Sequence, residues 1–273
     1  MGVFAYIKDN WYAGVALPVL VMFQAILAEW LYCRLFLRGK FAWREGLIST
    51  PIALGEMVAA IGLFYFQFYF FRGLEKHSLF HLSGPGWEWY LLYYFTGEFI
   101  FYMAHYSAHH FRWFWADHSV HHSSVELNYF AGNRNGWFAL VGGLWIFTIP
   151  FVWLGFPWME LLKVLAVILS YQFYIHTEVV RRLGPLEYLI NTPSLHRVHH
   201  GKNPEYINKN FGGILMIFDY AFGTLQREIP GVKIQYGLTD QPSGLNPFRY
   251  VFHGWAGLFR DGWRKLSGSI SGR

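Results

Sequence analysis

Only one cysteine, Cys33, occurs in the 273 residues. That excludes a disulfide framework and leaves no thiolate pair for iron–sulfur or rubredoxin-type iron. Charge is equally scarce. Charged residues make up 14% of the chain, where an ordinary soluble domain carries about 25%. A soluble globule could not hide 54% hydrophobic residues behind so few charges. Disorder is excluded by the same figures: disordered chains are poor in aromatics, and here aromatics reach 21%. No internal repeat, low-complexity stretch or linker divides the chain, so residues 1–273 read as a single domain. The opening MGVFAYIKDN lacks the basic start and cleavage site of a secretory signal. Tyr6 stands where a myristoylation signal needs Ser or Thr. What remains is an integral membrane protein.

A spanning helix needs about 20 mostly apolar residues. Segments 11–33, 52–71, 87–103, 137–154 and 158–174 are the candidates. The last two, joined by Gly155-Phe156-Pro157, read as a hairpin that can fall short of a full crossing. The expected fold is all-α, an integral membrane bundle of four or five transmembrane helices. Basic residues cluster beside the apolar runs, at Arg34, Arg38, Lys40 and Arg44, at Arg181 and Arg182, and at Arg260, Arg264 and Lys265. With a net charge of +5 this is the Lys and Arg excess of cytoplasmic loops. No RNA-binding or zinc-finger pattern accompanies it, so nucleic acid is not an expected partner. A cytoplasmic loop 34–44 puts segments 104–136 and 177–273 on that same face, as a helical cap. The expected location is multi-pass in a bacterial inner membrane or the endoplasmic reticulum membrane.

Thirteen histidines are present. His105 and His109 form HxxxH, while His118, His121, His122 and His196, His199, His200 form two HxxHH triplets. His176 stands alone at the end of the last apolar run. On a helix, positions i and i+4 lie about 40° apart, and each triplet spans roughly 100°. Three short helical stretches could therefore turn imidazoles toward one centre. His110, about 140° from His105, falls off that face. His77, His81 and His253 are isolated and read as interfacial or hydrogen-bonding groups. So many imidazoles packed together without metal would leave unsatisfied ring nitrogens. The chain has neither HExxH nor Glu-x-x-His, so the zinc-protease and soluble di-iron carboxylate patterns both fail. One tetrahedral zinc takes about four ligands. Two octahedral ions offer about twelve positions, enough for nine imidazoles with a few left for water, dioxygen or substrate. The spacing leaves iron and zinc equally open.

The stretches HYSAHH, HSVHHSS with Asn128 and Arg134 following, LGPLEYLINTPSLHRVHH and NKNFGGILMIFDYAFGT resemble the fatty acid hydroxylase and sterol desaturase superfamily. The resemblance covers roughly 90–226. The tail, YGLTDQPSGLNP with Phe252, Trp255 and Arg260-Asp261, is most similar to the alkylglycerol monooxygenase branch. The resemblance implies a membrane-bound, non-haem di-iron oxygenase with dioxygen as co-substrate. It implies His105, His109, His118, His121, His122, His196, His199 and His200 as ligands, with His176 as a ninth. Val125 and Asn208 depart from the branch, which carries acids at or beside those places; neither departure removes a ligand.

The implied activity inserts one oxygen atom into a C–H bond of a fatty acyl, alkylglycerol or sterol lipid. A desaturase using the same site is the near alternative. A non-catalytic membrane metal protein would need a continuous polar path, and the spans offer only Glu29, Glu56 and Glu98. Metal-bound histidines commonly donate their second ring N–H to a carboxylate or carbonyl. Glu98, Asp117, Asn128, Glu178, Asn210 and Asp219 are the candidates. Glu98 stands out, being an ionisable group inside an apolar span, two helical turns before His105. Glu29 and Glu56 lie nearer span ends, where solvent contact is easy. The residues carry no GxGxxG and no haem domain, so the electrons are expected from a separate redox donor. A reductase, ferredoxin or cytochrome b5-type protein suits the basic face, and the branch resemblance implies a reduced pterin.

Overall fold

The computed structural model describes residues 17–36 and 41–270. Among them every regular element is helical, and the one extended pairing is an antiparallel bridge between Ile190 and Leu215. Four longer helices come first: α1 (Leu17–Phe36), α2 (Trp43–Glu75), α3 (Trp87–His110) and α4 (Arg112–His122). Short pieces follow: α5 (Tyr129–Gly132), α6 (Ala139–Gly142), a 3-10 turn at Leu144–Thr148 and α7 (Ile149–Leu154). Then come α8 (Trp158–Tyr174), α9 (Pro193–His199), α10 (Ile217–Phe222) and α11 (Pro247–Ile270).

The helix α2 has 33 residues and is, among the described residues, the one helix long and apolar enough to cross a membrane. It encloses the expected span 52–71. The described part of the first span is α1; residues 11–16, with Arg38 and Lys40 of the basic loop, lie outside the described residues. α3 overruns the expected 87–103 and continues to His110, so Glu98, His105 and His109 ride on one rod. The segment 137–154 is not one helix. Gly143 takes φ 78°, a left-handed conformation that ends α6, and Pro150 starts α7 in the first turn, where its missing N–H is harmless. The hairpin turn itself is as expected. Gly155 has φ 121°, and a Cβ there would stand 2.1 Å from the Phe80 carbonyl oxygen.

Two apolar clusters hold these pieces. Phe71, Tyr93, Ile100, Val152, Phe156, Trp158 and Leu161 join α2, α3 and the hairpin. Ile48, Ile52, Val120, Tyr250 and Val251 join α2, α4 and α11. Acids on the long helices then fasten them to the chain that follows. Glu29 accepts from the Tyr129 amide at 2.9 Å and from the Thr177 hydroxyl. Glu56 accepts from the Asn135 amide group at 3.2 Å, and Glu75 from the Trp158 N–H at 3.0 Å. Glu98 accepts from Ile214 N at 3.1 Å and Leu215 N at 3.2 Å. Glu29 and Glu56 thus have internal partners in place of the solvent contact expected from their positions.

Candidate metal centre

The elements bring the expected histidines together. His105 and His109 share one face of α3. The chain breaks for one extended residue at Phe111 and returns as α4, carrying His118, His121 and His122. Thr192 caps α9, its side chain accepting from Leu195 N, and Pro193 occupies the first turn, so the seven-residue helix is well started. His196 and His199 lie on it and His200 is its C-cap. His176 follows the end of α8 and rests on Gly132 of α5, where a Cβ would lie 3.2 Å from its ring.

The nine imidazoles form two groups. His105, His109, His118, His122 and His199 make one; His121, His176, His196 and His200 make the other. Within each group the ligand atoms lie within 4.8 Å of one another. The groups adjoin, since the His122 and His200 rings stack with centroids 4.4 Å apart. His110 belongs to neither: its ring stacks on Tyr106 and its Nδ1 donates to the Tyr106 carbonyl at 2.8 Å. His253 lies beside Asp240 at 2.9 Å.

Backbone carbonyls fix the tautomers. Nδ1 of His105 meets the Phe211 carbonyl at 3.0 Å, and Nδ1 of His121 the Arg134 carbonyl at 3.2 Å. Nδ1 of His176 meets the Gln172 carbonyl at 2.6 Å, and Nδ1 of His199 the Lys209 carbonyl at 2.9 Å. A carbonyl only accepts, so each of these Nδ1 atoms carries the proton and each Nε2 presents a lone pair. His176 Nε2 lies 3.1 Å from His121 Nε2, so two lone pairs face each other with no proton between them. It also lies 3.1 Å from His200 Nε2 and 2.9 Å from His196 Nε2. Adjacent imidazoles about 2.1 Å from a shared six-coordinate ion would show N···N separations of about 3 Å. In the other group, Nε2 of His109, His118, His122 and His199 is buried and without a hydrogen-bond partner. Both groups therefore fit a cation with imidazole affinity. Burial pulls the pKa of all nine rings down, reinforced by neighbouring imidazoles for eight of them and by the Arg134 charge for His121, which falls to about 4. Near neutral pH the rings are uncharged, as metal ligation requires.

None of the six candidates is seen bonding a ring directly, and three of them, Asp219, Glu98 and Asn210, act one step back. Asp219 accepts from Phe211 N at 2.8 Å and Gly212 N at 2.7 Å, fixing the peptide whose carbonyl holds His105. Glu98 fixes the amides of Ile214 and Leu215, farther along the same loop. Asn210 donates to the Leu195 and Gln226 carbonyls at 2.8 and 2.7 Å. With Asn208 it adopts φ 58°, a left-handed conformation that Asn tolerates. These two residues set the loop that turns the Lys209 and Phe211 carbonyls toward His199 and His105. Asn128 caps α5. Asp117 accepts from Phe138 N at 3.1 Å, and burial pushes its carboxyl pKa up. Glu178 is exposed, beside Tyr236. Of the carboxylate or carbonyl partners expected, the Nδ1–H groups of His105, His121, His176 and His199 find main-chain carbonyls.

One element of the site had no assigned role. Arg134 is fully buried and pairs with Glu45 at the start of α2. It also donates to Ser49 Oγ at 3.0 Å and Ser123 Oγ at 3.3 Å, and lies over the Tyr250 ring. Its carbonyl holds His121. No local pattern ties Glu45 to a residue 89 positions away. A cavity of about 390 Å³ opens onto His109, His122, His199 and His200, with Arg112, Trp115 and Lys202 on its rim.

The described fold is helical, with one helix long and apolar enough to cross a membrane and two groups of histidines that could each hold a metal ion. Residues 90–224 match the fatty acid hydroxylase family model, and the chain belongs to that superfamily, in its alkylglycerol monooxygenase-like branch. It is 34% identical to human alkylglycerol monooxygenase over 249 residues, which is 89% of this chain and 54% of that protein. It is 52% identical over 95 residues to the Danio rerio alkylglycerol monooxygenase, 35% of this chain and 21% of that protein. It is 34% identical over 93 residues to the ornithine lipid hydroxylase OlsE of Rhizobium tropici, 34% of this chain and 28% of that protein. The chain thus spans about half the length of the human relative. No solved structure matches it.

Proposed function

We propose that the protein is a membrane-bound lipid hydroxylase that works with dioxygen and two iron ions. The observation that carries this reading is the division of nine imidazoles into two convergent groups, with the His121 and His176 Nε2 lone pairs facing each other in one and four buried, unpartnered Nε2 atoms in the other. His105, His109, His118, His122 and His199 would hold one ion; His121, His176, His196 and His200 would hold the other. When bound, such a pair supplies the reduction of dioxygen and the oxidation of an unactivated C–H bond.

The chain's own residues do the positioning. Four main-chain carbonyls hold the tautomers that turn Nε2 inward. Trp115 and Phe211 wall the group of five, with centroids 5.2 Å from the His109 ring, and limit water there. The rim of the cavity at His109 and His122 offers Arg112 and Lys202 to an anionic or hydrogen-bonding group on the entering molecule.

We read residues 1–273 as one membrane domain with four or five crossings and the histidines on the cytoplasmic face, in a bacterial inner membrane or the endoplasmic reticulum. The lipid substrate is an acyl, alkylglycerol or sterol lipid, and similarity to alkylglycerol monooxygenases favours the alkylglycerol class. Electrons come from a separate donor, either a reductase, ferredoxin or cytochrome b5-type protein, or a reduced pterin. The test is metal analysis of the purified protein together with lipid mass spectrometry under labelled dioxygen. The expected product gains one labelled oxygen atom, and His121→Ala abolishes it. A product that has only lost two hydrogens, or full activity in that variant, overturns the proposal.

A further inference from the structure

The last described helix, α11, has two apolar faces. One belongs to the fold. Tyr250, Val251 and Gly254 are buried toward α4, and a Cβ on Gly254 would stand 2.2 Å from the Ala116 carbonyl oxygen. The other face is mostly exposed. Phe248, Phe252, Phe259, Trp263 and Leu266 are each 46–73% exposed. At 100° per residue these five fall within roughly 60° of one another and roughly opposite the buried face. The stripe runs for about five helical turns and is interrupted at Trp255, which shares its arc but is buried against Trp113 and Phe138.

Charge is placed beside the stripe. Arg249, Arg260 and Arg264 are exposed and lie along one flank, roughly 100° from the stripe's centre. The acid on this helix, Asp261, is taken up by Arg112 of α4 at 3.3 Å. The stripe also continues into other aromatic surface. Phe248 packs on Trp137 at 5.4 Å and Phe252 on Phe138 at 5.3 Å, where the chain enters the apolar segment 137–154. A helix with aromatic and aliphatic residues on one arc and arginines beside it matches an anionic lipid surface, with rings among the acyl chains and guanidinium groups at the phosphates.

We infer that α11 lies in the plane of the membrane interface, with Phe248, Phe252, Phe259, Trp263 and Leu266 immersed and Arg249, Arg260 and Arg264 bound to anionic headgroups. The inference rests on the membrane reading above and adds to it a specific lipid-contact surface. It also gives α4, which carries three of the histidines, a neighbour that is anchored to the bilayer.

The test uses the full chain in nanodiscs of phosphatidylcholine, with or without phosphatidylglycerol. Single cysteines are placed at Trp263, Val58 or Glu205 in a Cys33→Ser background and carry an environment-sensitive fluorophore. Val58 lies on the exposed side of α2 and reports its immersion; Glu205 is exposed on the cap and reports water. The expected result at Trp263 is strong quenching by lipids spin-labelled near the headgroup. Quenching there by aqueous iodide should be several-fold weaker than at Glu205. Phosphatidylglycerol should strengthen the lipid quenching, and R260Q/R264Q should remove that gain. Water-like quenching at Trp263 with lipid quenching at Val58 overturns the inference and leaves the membrane reading standing. Water-like quenching at both sites overturns the membrane reading itself. A probe at Trp263 shielded from both quenchers shows a second copy on the stripe and also overturns the inference. Photoactivatable lipid crosslinked to the wild-type chain provides the check without substitutions: adducts belong on the 255–267 peptide, and their absence there counts against it.

Discussion

Asp219 touches no histidine, yet the structure makes it responsible for two of them. Its carboxylate accepts from Phe211 N at 2.8 Å, Gly212 N at 2.7 Å and the Thr224 hydroxyl at 2.6 Å. The loop so held presents the Phe211 carbonyl to His105 and the Lys209 carbonyl to His199. Asp219→Asn keeps the shape but replaces one acceptor oxygen by an amide that confronts a buried N–H donor. Leaving that donor unpaired costs about 1–3 kcal/mol. Removal of such supporting contacts typically lowers metal affinity by about 10–100-fold. Both affected rings belong to the group of five, whereas His121 and His176 lean on carbonyls elsewhere in the chain. The variant should therefore lose one class of bound metal and keep the other. The assay is equilibration with graded chelator followed by metal-to-protein analysis. Half of the metal should leave at a chelator level about 10–100-fold below wild type, and the rest at the wild-type level. Release of both classes together, or no shift in either, would refute the chain of contacts from Asp219 to the site.

Three further outcomes follow from the geometry. Glu45→Gln leaves Arg134 buried without its counter-charge, which costs about 3–5 kcal/mol and should appear as a large drop in thermal midpoint in detergent; an unchanged midpoint would show the pair to be dispensable. Gly155→Ala should destabilise by about 1–3 kcal/mol from backbone strain plus its collision with Phe80, while Gly184→Ala, at φ 63° with open space around it, should cost only about 1–2 kcal/mol, and equal losses in chemical denaturation would contradict the contact. The buried rings are held below their ordinary pKa while unfolded histidines titrate near about 6.5, so the unfolded chain takes up protons first as pH falls. Stability should be fully present above that value and decline as pH falls toward the folded pKa values, His121 alone accounting for about 3 kcal/mol by pH of about 4; metal-free protein that is equally stable across that range would contradict the burial of the rings.

Much of the site was legible because helical spacing is strict. HxxxH on α3 and HxxHH on α4 and α9 do turn their rings to one centre. The partition into two groups was not legible. His121 and His122 are adjacent in sequence but lie about 100° apart on α4, so they serve different groups, and the adjacent His199 and His200 divide in the same way. The supporting contacts were invisible for another reason. A carbonyl acceptor such as that of Phe211 depends on loop conformation and leaves no trace in residue type. Apolar composition suggested one crossing at 137–154, but the left-handed Gly143 outweighed it locally. The Glu45–Arg134 pair needed the tertiary fold to bring the start of α2 against the chain that follows α5.

Main-chain acceptors for the ring N–H groups have an evolutionary corollary. Every amino acid supplies a carbonyl, so Lys209 could be exchanged in identity without deleting the acceptor that His199 uses, whereas the side chains of Phe211, Gln172 and Arg134 have contacts of their own. What selection would have to preserve is the path of the loop, through Asn208, Asn210 and the carboxylate that staples it. Such a centre tolerates drift where only the carbonyl is used and is fragile at a few hinge positions farther away.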